Sequence, residues 1–147
     1  MCRNFLAAAA ALAIAGGCVL AANHHELNGS WQLIPSRSEF NGGSVIQSGT
    51  VTIDDREGNV YVSRNFSNDG ANESTGSTFD TDAREKASIK APGIKSKTQW
   101  KGDVLEVTTT QEGASTVERY SLRGDGTMVL TIDRPGHPSE TLLFQRR

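Results

Sequence analysis

The chain has 147 residues, 36% of them hydrophobic, and its 15 basic and 17 acidic side chains give a formal net charge of −2. This length suits one domain with one core. Basic and acidic residues are interspersed, which excludes the basic stripe expected of a protein that binds nucleic acid or an anionic membrane. Ser, Thr, Gly and Asn are frequent, a composition that favours an all-β meander over helices.

Residues 1–22 have the pattern of a signal peptide. Arg3 supplies the positive start, and an apolar run too short to span a membrane leads to a small-residue cleavage region at residues 19–22. Cleavage there would release a mature domain of residues 23–147. The domain is therefore expected to be extracytoplasmic, either secreted or periplasmic.

A lipid anchor at Cys18 is the alternative for this segment. A bacterial lipid-attachment box has a similar outline to residues 15–18, which read AGGC. Such boxes usually carry Leu in the first place and Ala or Ser in the second, where this chain has Ala15 and Gly16. The chain's two cysteines, Cys2 and Cys18, both lie here. The mature domain therefore has neither a disulfide nor a thiol nucleophile.

Two histidines follow the predicted cleavage region. Cleavage after Ala21 makes His24 the third residue of the mature chain, and cleavage after Ala22 makes His25 the third. A His third from a free amine can hold Cu(II) or Ni(II) in a square plane of nitrogens. A metal site at His24 and His25 is thus an open alternative that lipidation at Cys18 would remove. The sequence predicts no other metal and no cofactor.

The mature domain opens with a distinctive twelve-residue segment, residues 29–40, which reads GSWQLIPSRSEF. Trp31 and Leu33 share one face of a short strand that Pro35 ends. The segment resembles the start of secreted bacterial lipocalin-like proteins, Gly-Thr/Ser-Trp-x-Leu-x-Pro-x-Lys/Arg-Ser-x-Phe. The downstream patterns Trp-x-Gly-Asp and Leu-x-x-Asp-Gly strengthen the resemblance. It implies a barrel whose closed end is plugged by the tryptophan.

The resemblance also implies a partner for Trp31. In lipocalins this tryptophan often lies under a basic side chain from the last strands. Arg146 or Arg147 could supply such a cation–π contact here, which is worth about 0.5–2 kcal/mol. Trp31 is therefore expected to be structural rather than ligand-binding.

Strand and turn signals alternate through the rest of the chain. Between residues 98 and 133, four runs of alternating apolar and polar residues are separated by tight turns that carry Gly beside Asp, Lys or Glu. Such turns join neighbouring antiparallel strands. Further strands are predicted at residues 45–53, 59–66, 74–80, 84–90, 94–100 and 140–146.

Closing such a meander pairs its two exposed edges. The predicted fold is therefore an all-β, antiparallel up-and-down barrel of about eight to ten strands, of the lipocalin or calycin type. Residues 71–92 are poor in apolar side chains, so an opening into the interior is expected there. The residues predicted to face the interior are Trp31, Leu33, Val51, Ile53, Val60, Val62, Phe79, Trp100, Leu105, Val107, Tyr120, Leu122, Met128, Leu130, Ile132, Leu142 and Phe144.

The C-terminal half also resembles intracellular fatty-acid-binding proteins. Their final strand commonly holds a ligand carboxylate with an Arg-x-Tyr pair. Leu142 and Phe144 occupy the matching places here, followed by Arg146. Arg119 could replace the pair only if it faced inward, and its alternation with Tyr120 predicts that it faces outward. The resemblance therefore does not extend to the carboxylate-binding pair.

Catalysis is the function class least supported by the sequence. Asp54, Asp55 and Glu57, like Asp80 and Asp82, lie at strand ends or turns, where Asp commonly bonds to the backbone. Neither group has the spacing of an EF-hand. His137 accompanies no nucleophile motif. No catalytic residue is predicted.

The leading hypothesis is a monomeric, non-enzymatic barrel that binds a small apolar or amphipathic ligand in its interior. One alternative is a protein-binding module, such as a secreted protease inhibitor that uses an arm at residues 23–28. Another is a filled barrel with a structural role in the envelope. The residues predicted to line an interior site are Tyr61, Phe79, Trp100, Tyr120, Met128 and Phe144.

Overall fold

The computed structural model describes residues 24–147. It contains a 3₁₀ helix at His24–Leu27, a second at Pro35–Arg37, and ten strands. The strands are β1 (Gly29–Leu33), β2 (Ser48–Arg56), β3 (Asn59–Asn68), β4 (Ala71–Asp80), β5 (Lys86–Ala87), β6 (Ile94–Lys101), β7 (Val104–Gln111), β8 (Ala114–Leu122), β9 (Met128–Asp133) and β10 (Glu140–Arg146). Within this part of the chain, no helix is long and apolar enough to cross a membrane. The predicted signal peptide and lipid-attachment box lie outside the described residues.

All ten strands belong to one antiparallel sheet with the order β4-β3-β2-β1-β10-β9-β8-β7-β6-β5. Successive strands are neighbours except for β4 and β5, and β1 pairs with β10, so the sheet curls into a barrel. This confirms the predicted all-β, up-and-down barrel. The sheet ends at β4 and β5, which do not pair with each other. Some Cα atoms of β4 and β6 nevertheless lie within 8 Å of each other. The two strands therefore face each other across a narrow gap, and the sheet is not flat.

Alternation along the strands produces the core. Every residue predicted to face the interior is either buried or packed, partly buried, against the buried cluster. The cluster also includes Leu27, from the first 3₁₀ helix, and Ile46, from the connection between β1 and β2. Full burial of each large apolar side chain stabilises the fold by about 1.5–3 kcal/mol. The core therefore accounts for the fold without a disulfide.

The closed end of the barrel is built around Trp31, which has no exposed surface. Its Nε1–H donates to the Leu27 carbonyl at 2.9 Å, and the Arg146 guanidinium carbon lies 4.2 Å from the ring centroid. Arg146 also donates to the carbonyls of Asn28 and Glu26, at 2.8 and 2.7 Å. The predicted cation–π contact is confirmed, with Arg146 as the cation. It ties the last strand to the first turn of the domain.

The end of the opening segment has a structural role as well. The Ser38 hydroxyl donates to the Ile34 carbonyl at 2.9 Å and accepts from the Leu143 N–H at 3.0 Å. Glu39 forms a bridge with Thr141 on β10. These bonds fix the start of the long β1–β2 connection beside the last strand.

Residues 71–92 differ from the prediction of two short strands. β4 is ten residues long because its backbone pairs with β3 along its whole length, from Asn68 and Ala71 to Asn59 and Asp80. Those hydrogen bonds need no apolar side chains, so the sequence pattern gave no sign of them. The second predicted strand, residues 84–90, is reduced to the two-residue β5.

Candidate ligand-binding site

The interior of the barrel has an apolar part and a polar part. Along the inward face of β3, Val60 and Val62 are followed by Arg64. Along β8, Tyr120 is preceded by Glu118 on the same face. Since side chains alternate along a strand, both charged residues must point into the barrel.

Arg64 and Glu118 form an ion pair between Nη1 and Oε1, with side chains that are 25% and 13% exposed. β3 and β8 are not neighbours in the sheet. The pair therefore crosses the interior instead of lying along one wall. The Tyr120 hydroxyl donates to the other carboxylate oxygen of Glu118 at 3.1 Å, which completes a three-residue network.

Charge and burial set the protonation states in this network. Burial acts to lower the pKa of Arg64, but its electrostatic interactions with Tyr120 and with the Glu118 carboxylate outweigh this effect, so the pKa lies above its usual value. Burial, and then the charge of Glu118, raise the pKa of Tyr120 well above its usual value. At neutral pH Arg64 is thus a cation, and Tyr120 is a neutral hydrogen-bond donor.

The inner cavity lies beside this network and has a volume of about 390 Å³. Part of its lining is apolar, contributed by Val62, Phe79, Ile94 and Tyr120. Its polar part consists of hydroxyl groups from Thr75, Ser77, Ser88, Ser96 and Thr109, together with the charged side chains of Arg64, Lys90 and Glu118. The β4 residues Thr75 and Ser77 are exposed although they face inward. The interior beside β4 is therefore not filled by side chains.

A second volume, the gap cleft, separates β4 from the segment around β5 and from β6. It measures about 390 Å³ and shares Ser77, Phe79, Ser88, Lys90 and Ser96 with the inner cavity. At one end, the Ala83 N–H donates to the Thr98 carbonyl at 3.1 Å and ties the two sides together. The gap cleft thus gives the inner cavity a route to the surface, within the region where an opening was expected.

Thr98 contributes an unusual feature to the gap cleft. Its side chain faces inward from β6, is 2% exposed, and lines the cleft. Among the buried side-chain polar atoms of residues 24–147, its Oγ1 is the one without a hydrogen-bond partner. A buried hydroxyl without a partner carries a free-energy cost.

A third volume, the mouth cavity, lies on the other side of Arg64 and measures about 330 Å³. The β1–β2 connection covers it through Gly43, Ser44 and Ile46. A second ion pair, between Arg134 and Glu140, also lines it. A Cβ on Gly43 would lie 2.6 Å from Glu140 Oε1, so glycine permits this close approach of the loop.

The structure places the six predicted site residues in four different surroundings. Phe79 and Tyr120 line the inner cavity. Met128 and Phe144 are fully buried in the packed core, away from the inner and mouth cavities. Trp100 stacks on His24, with ring centroids 4.0 Å apart.

Tyr61 corrects the prediction. It is 39% exposed and alternates with the buried Val60 and Val62, so it lies on the outer face. Its expected place in the interior is wrong, because an inward Tyr61 would require its two buried neighbours to face solvent.

The sequence analysis missed Arg64, Glu118 and Thr98. The alternation pattern could have identified the first two of these residues. Arg64 lies on the same face of its strand as Val60 and Val62, and Glu118 lies on the same face as Tyr120 and Leu122.

Arg119 faces outward, as its alternation predicted. It donates from Nε to Glu106 Oε2 at 2.9 Å and also pairs with Asp133. Glu106 accepts further bonds from Lys101 and Gln99. Chiefly because of its bond with Lys101, the pKa of Glu106 falls to about 2. This cluster stabilises the outer face and lies away from the interior site.

The remaining acidic candidates form ion pairs, and one of them, Asp80, also lines the gap cleft. Asp54 pairs with Arg56, and Asp80 and Asp82 both pair with Lys86, at partly exposed positions. Within residues 24–147, no group of three or more His, Cys, Asp or Glu side chains could hold a metal ion. The amine required by the hypothetical copper or nickel site would belong to residue 22 or 23, outside the described residues.

Comparisons with known proteins place the fold. No family model and no curated protein sequence matches the chain. The wild-type fluorescent protein UnaG has a similar structure, with a TM-score of 0.68 at 17% identity over 84% of this chain and 98% of that chain. A Schistosoma mansoni fatty-acid-binding protein in complex with arachidonic acid has a TM-score of 0.61 at 18% identity, over 83% of this chain and 96% of that chain. A mutant of the fatty acid transporter REP1-NXSQ has a TM-score of 0.61 at 16% identity, over 83% of this chain and 98% of that chain.

These likenesses show that the chain has the fold of fatty-acid-binding-protein-like calycin barrels. At such low identities they show the fold alone. The lipocalin-like resemblance of residues 29–40 stays a prediction, since no family model supports it.

Proposed function

We propose that this protein is a non-enzymatic barrel that binds a small amphipathic ligand in its interior. The observation that carries the proposal is the inner cavity, which joins the gap cleft beside the Arg64–Glu118 pair. Its volume of about 390 Å³ falls within the range of about 300–1,000 Å³ typical of small-molecule sites. Phe79 and Tyr120 would contact the apolar part of the ligand.

The similar structures support this class of function. Two of the three are named as a fatty-acid-binding protein and a fatty acid transporter. A partly unfilled interior, which such a ligand could enter, is present here.

The proposal includes an extracytoplasmic location and a monomeric state. The extracytoplasmic location rests on the signal-peptide pattern of residues 1–22, with a lipid anchor at Cys18 as the alternative. Release of a mature chain beginning at residue 22 or 23, detected by mass spectrometry of the exported protein, would support it. An acylated Cys18 at the N-terminus would favour the anchor instead.

The protein-binding alternative finds less support in the structure. An inhibitory arm must be free to enter an enzyme. Here His24–Leu27 forms a 3₁₀ helix packed on the closed end, with Leu27 buried and His24 stacked on Trp100. The filled-barrel alternative is opposed by the inner and mouth cavities.

Two threonines on β7 provide a matched test. Thr109 faces inward and lines the inner cavity, whereas its neighbour Thr108 faces outward. Nile red, a neutral fluorophore, should gain emission with the mature protein. Thr109→Phe should abolish the gain by filling the cavity, and Thr108→Phe should preserve it.

Two results would contradict the proposal. One is the absence of any emission gain with the natural sequence. The other is equal binding by both variants, which would place the dye on the outer surface. Circular dichroism and thermal melting would establish that both variants are folded.

A further inference from the structure

We infer that the Arg64–Glu118 ion pair divides the barrel interior into two compartments and thereby limits the length of the ligand that the inner cavity accepts. The apolar tail of the ligand ends against this pair and does not enter the mouth cavity. This role rests on the proposed function and makes the pair the length-determining element of the same site.

The register of β3 shows that the two cavities follow each other along the barrel. Its inward residues come in the order Val62, Arg64, Phe66 and Asn68, about 7 Å apart along the strand. Val62 lines the inner cavity, whereas Phe66 and Asn68 line the mouth cavity. Among residues 24–147, Arg64 alone lines both. Arg64 therefore marks the boundary between the two cavities.

Glu118 reaches the same boundary from the opposite wall. On the side of the sheet that holds β1 and β10, the strands β2, β1, β10 and β9 separate β3 from β8. Glu118 lines the inner cavity and stands in register with Ile132, which lines the mouth cavity. The hydrogen bond from the Tyr120 hydroxyl holds the Glu118 carboxylate in place. The ion pair thus spans the interior at the level where the two cavities meet.

The pair stops an alkyl tail because of its charge. Both side chains are mostly buried, and a tail passing between them would separate them and leave each charge without its partner among methylene groups. Beyond the pair, the mouth cavity offers apolar surface from Ile46, Phe66 and Ile132. A tail would therefore gain from entering the mouth cavity if the pair were absent. The ion pair, rather than a lack of apolar surface, sets the limit.

Primary alcohols from 1-hexanol to 1-tetradecanol test this limit, because they share an uncharged head and differ in tail length alone. Nuclear Overhauser contacts would be measured in complexes of the isotope-labelled mature protein. The terminal methyl group of the longest alcohol should contact residues on the inner side of the pair, such as Val62 and Tyr120. It should give no contact to Ile46 or Phe66. Contacts to Ile46 and Phe66 in the natural sequence would overturn the inference and leave the proposed function intact.

A double variant, Arg64→Val with Glu118→Val, tests the pair itself. It shortens both side chains and removes both charges together, so no unpaired charge is left. Each methylene group that enters apolar surroundings raises the affinity about four-fold. If two or more enter the mouth cavity, the affinity ratio of 1-tetradecanol to 1-octanol should rise at least about ten-fold above that of the natural sequence.

The affinities would be measured by displacement of Nile red. Asp54→Val with Arg56→Val removes an ion pair from β2 outside the barrel interior and is the matched control, with an unchanged ratio expected. Equal ratios in the natural protein and in a folded Arg64–Glu118 double variant would overturn the inference. If that variant does not fold, the contacts in the natural protein still decide. If neither Nile red nor any alcohol binds, the proposed function fails, and the inference fails with it.

Discussion

Replacing Thr98 with Val should make the ligand-free protein more stable, although it removes a polar group from the proposed site. The Thr98 side chain is 2% exposed, and its Oγ1 has no hydrogen-bond partner within the described chain. A buried hydroxyl in this state costs about 1–3 kcal/mol by mutational scales. Val keeps the β-branched shape and the strand preference of Thr and puts a methyl group in place of the hydroxyl. We expect a gain of about 1 kcal/mol in the free energy of unfolding.

Urea denaturation, monitored by tryptophan fluorescence, would measure this change. For a domain of this size, about 1 kcal/mol corresponds to a rise of about 3–5 °C in Tm. Thr108→Val on the outer face of β7 serves as the control and should stay within about 0.5 kcal/mol of the natural sequence. A loss of more than about 1 kcal/mol in Thr98→Val would show that the hydroxyl is satisfied and would refute the reasoning.

Three further predictions concern the framework around the site. Arg64→Met should lower the free energy of unfolding by about 2–3 kcal/mol in urea, because it leaves Glu118 mostly buried and unpaired; a neutral effect would show that the pair is dispensable. Arg146→Met should cost about 1–3 kcal/mol, since the cation–π contact with Trp31 and two backbone hydrogen bonds are lost, whereas a matched change at Arg147 should cost under about 0.5 kcal/mol. Glu106 has a folded-state pKa of about 2, so its stabilising effect is complete above about pH 5 and is lost as the pH falls towards 2. Glu106→Gln should therefore lose up to about 3 kcal/mol at pH 7 and show a flatter decline between pH 5 and 2 in urea titrations at each pH; parallel curves would contradict this.

Alternation made most of the barrel predictable. Period-two patterns placed the predicted core residues on the correct face of each strand, because one face of the sheet is buried and the other is wet. Tyr61, which was assigned to the interior against its alternation with Val60 and Val62, is the exception. The opening segment located the closed end, where Trp31 lies beneath Arg146. β4 was underestimated because its exposed polar side chains carry no pattern, and only its backbone pairing with β3 defines it.

The site was less predictable than the fold. Alternation tells which face a residue occupies but not how far along the barrel axis it lies. Met128 and Phe144 face inward as expected, yet they belong to the packed core rather than to a cavity. The Arg64–Glu118 pair joins residues 54 positions apart on strands that are not neighbours, so only the closed geometry of the barrel brings them together.

The most direct test of an internal site is the map of backbone amides that change on ligand binding. The ¹H–¹⁵N correlation spectrum of the mature protein would be recorded during a titration with 1-decanol. The account predicts saturable shifts concentrated on β4, β6 and residues 84–91, with little change around Trp31 at the closed end. Shifts spread over the outer face, or none at all up to saturation of the alcohol, would contradict an internal site.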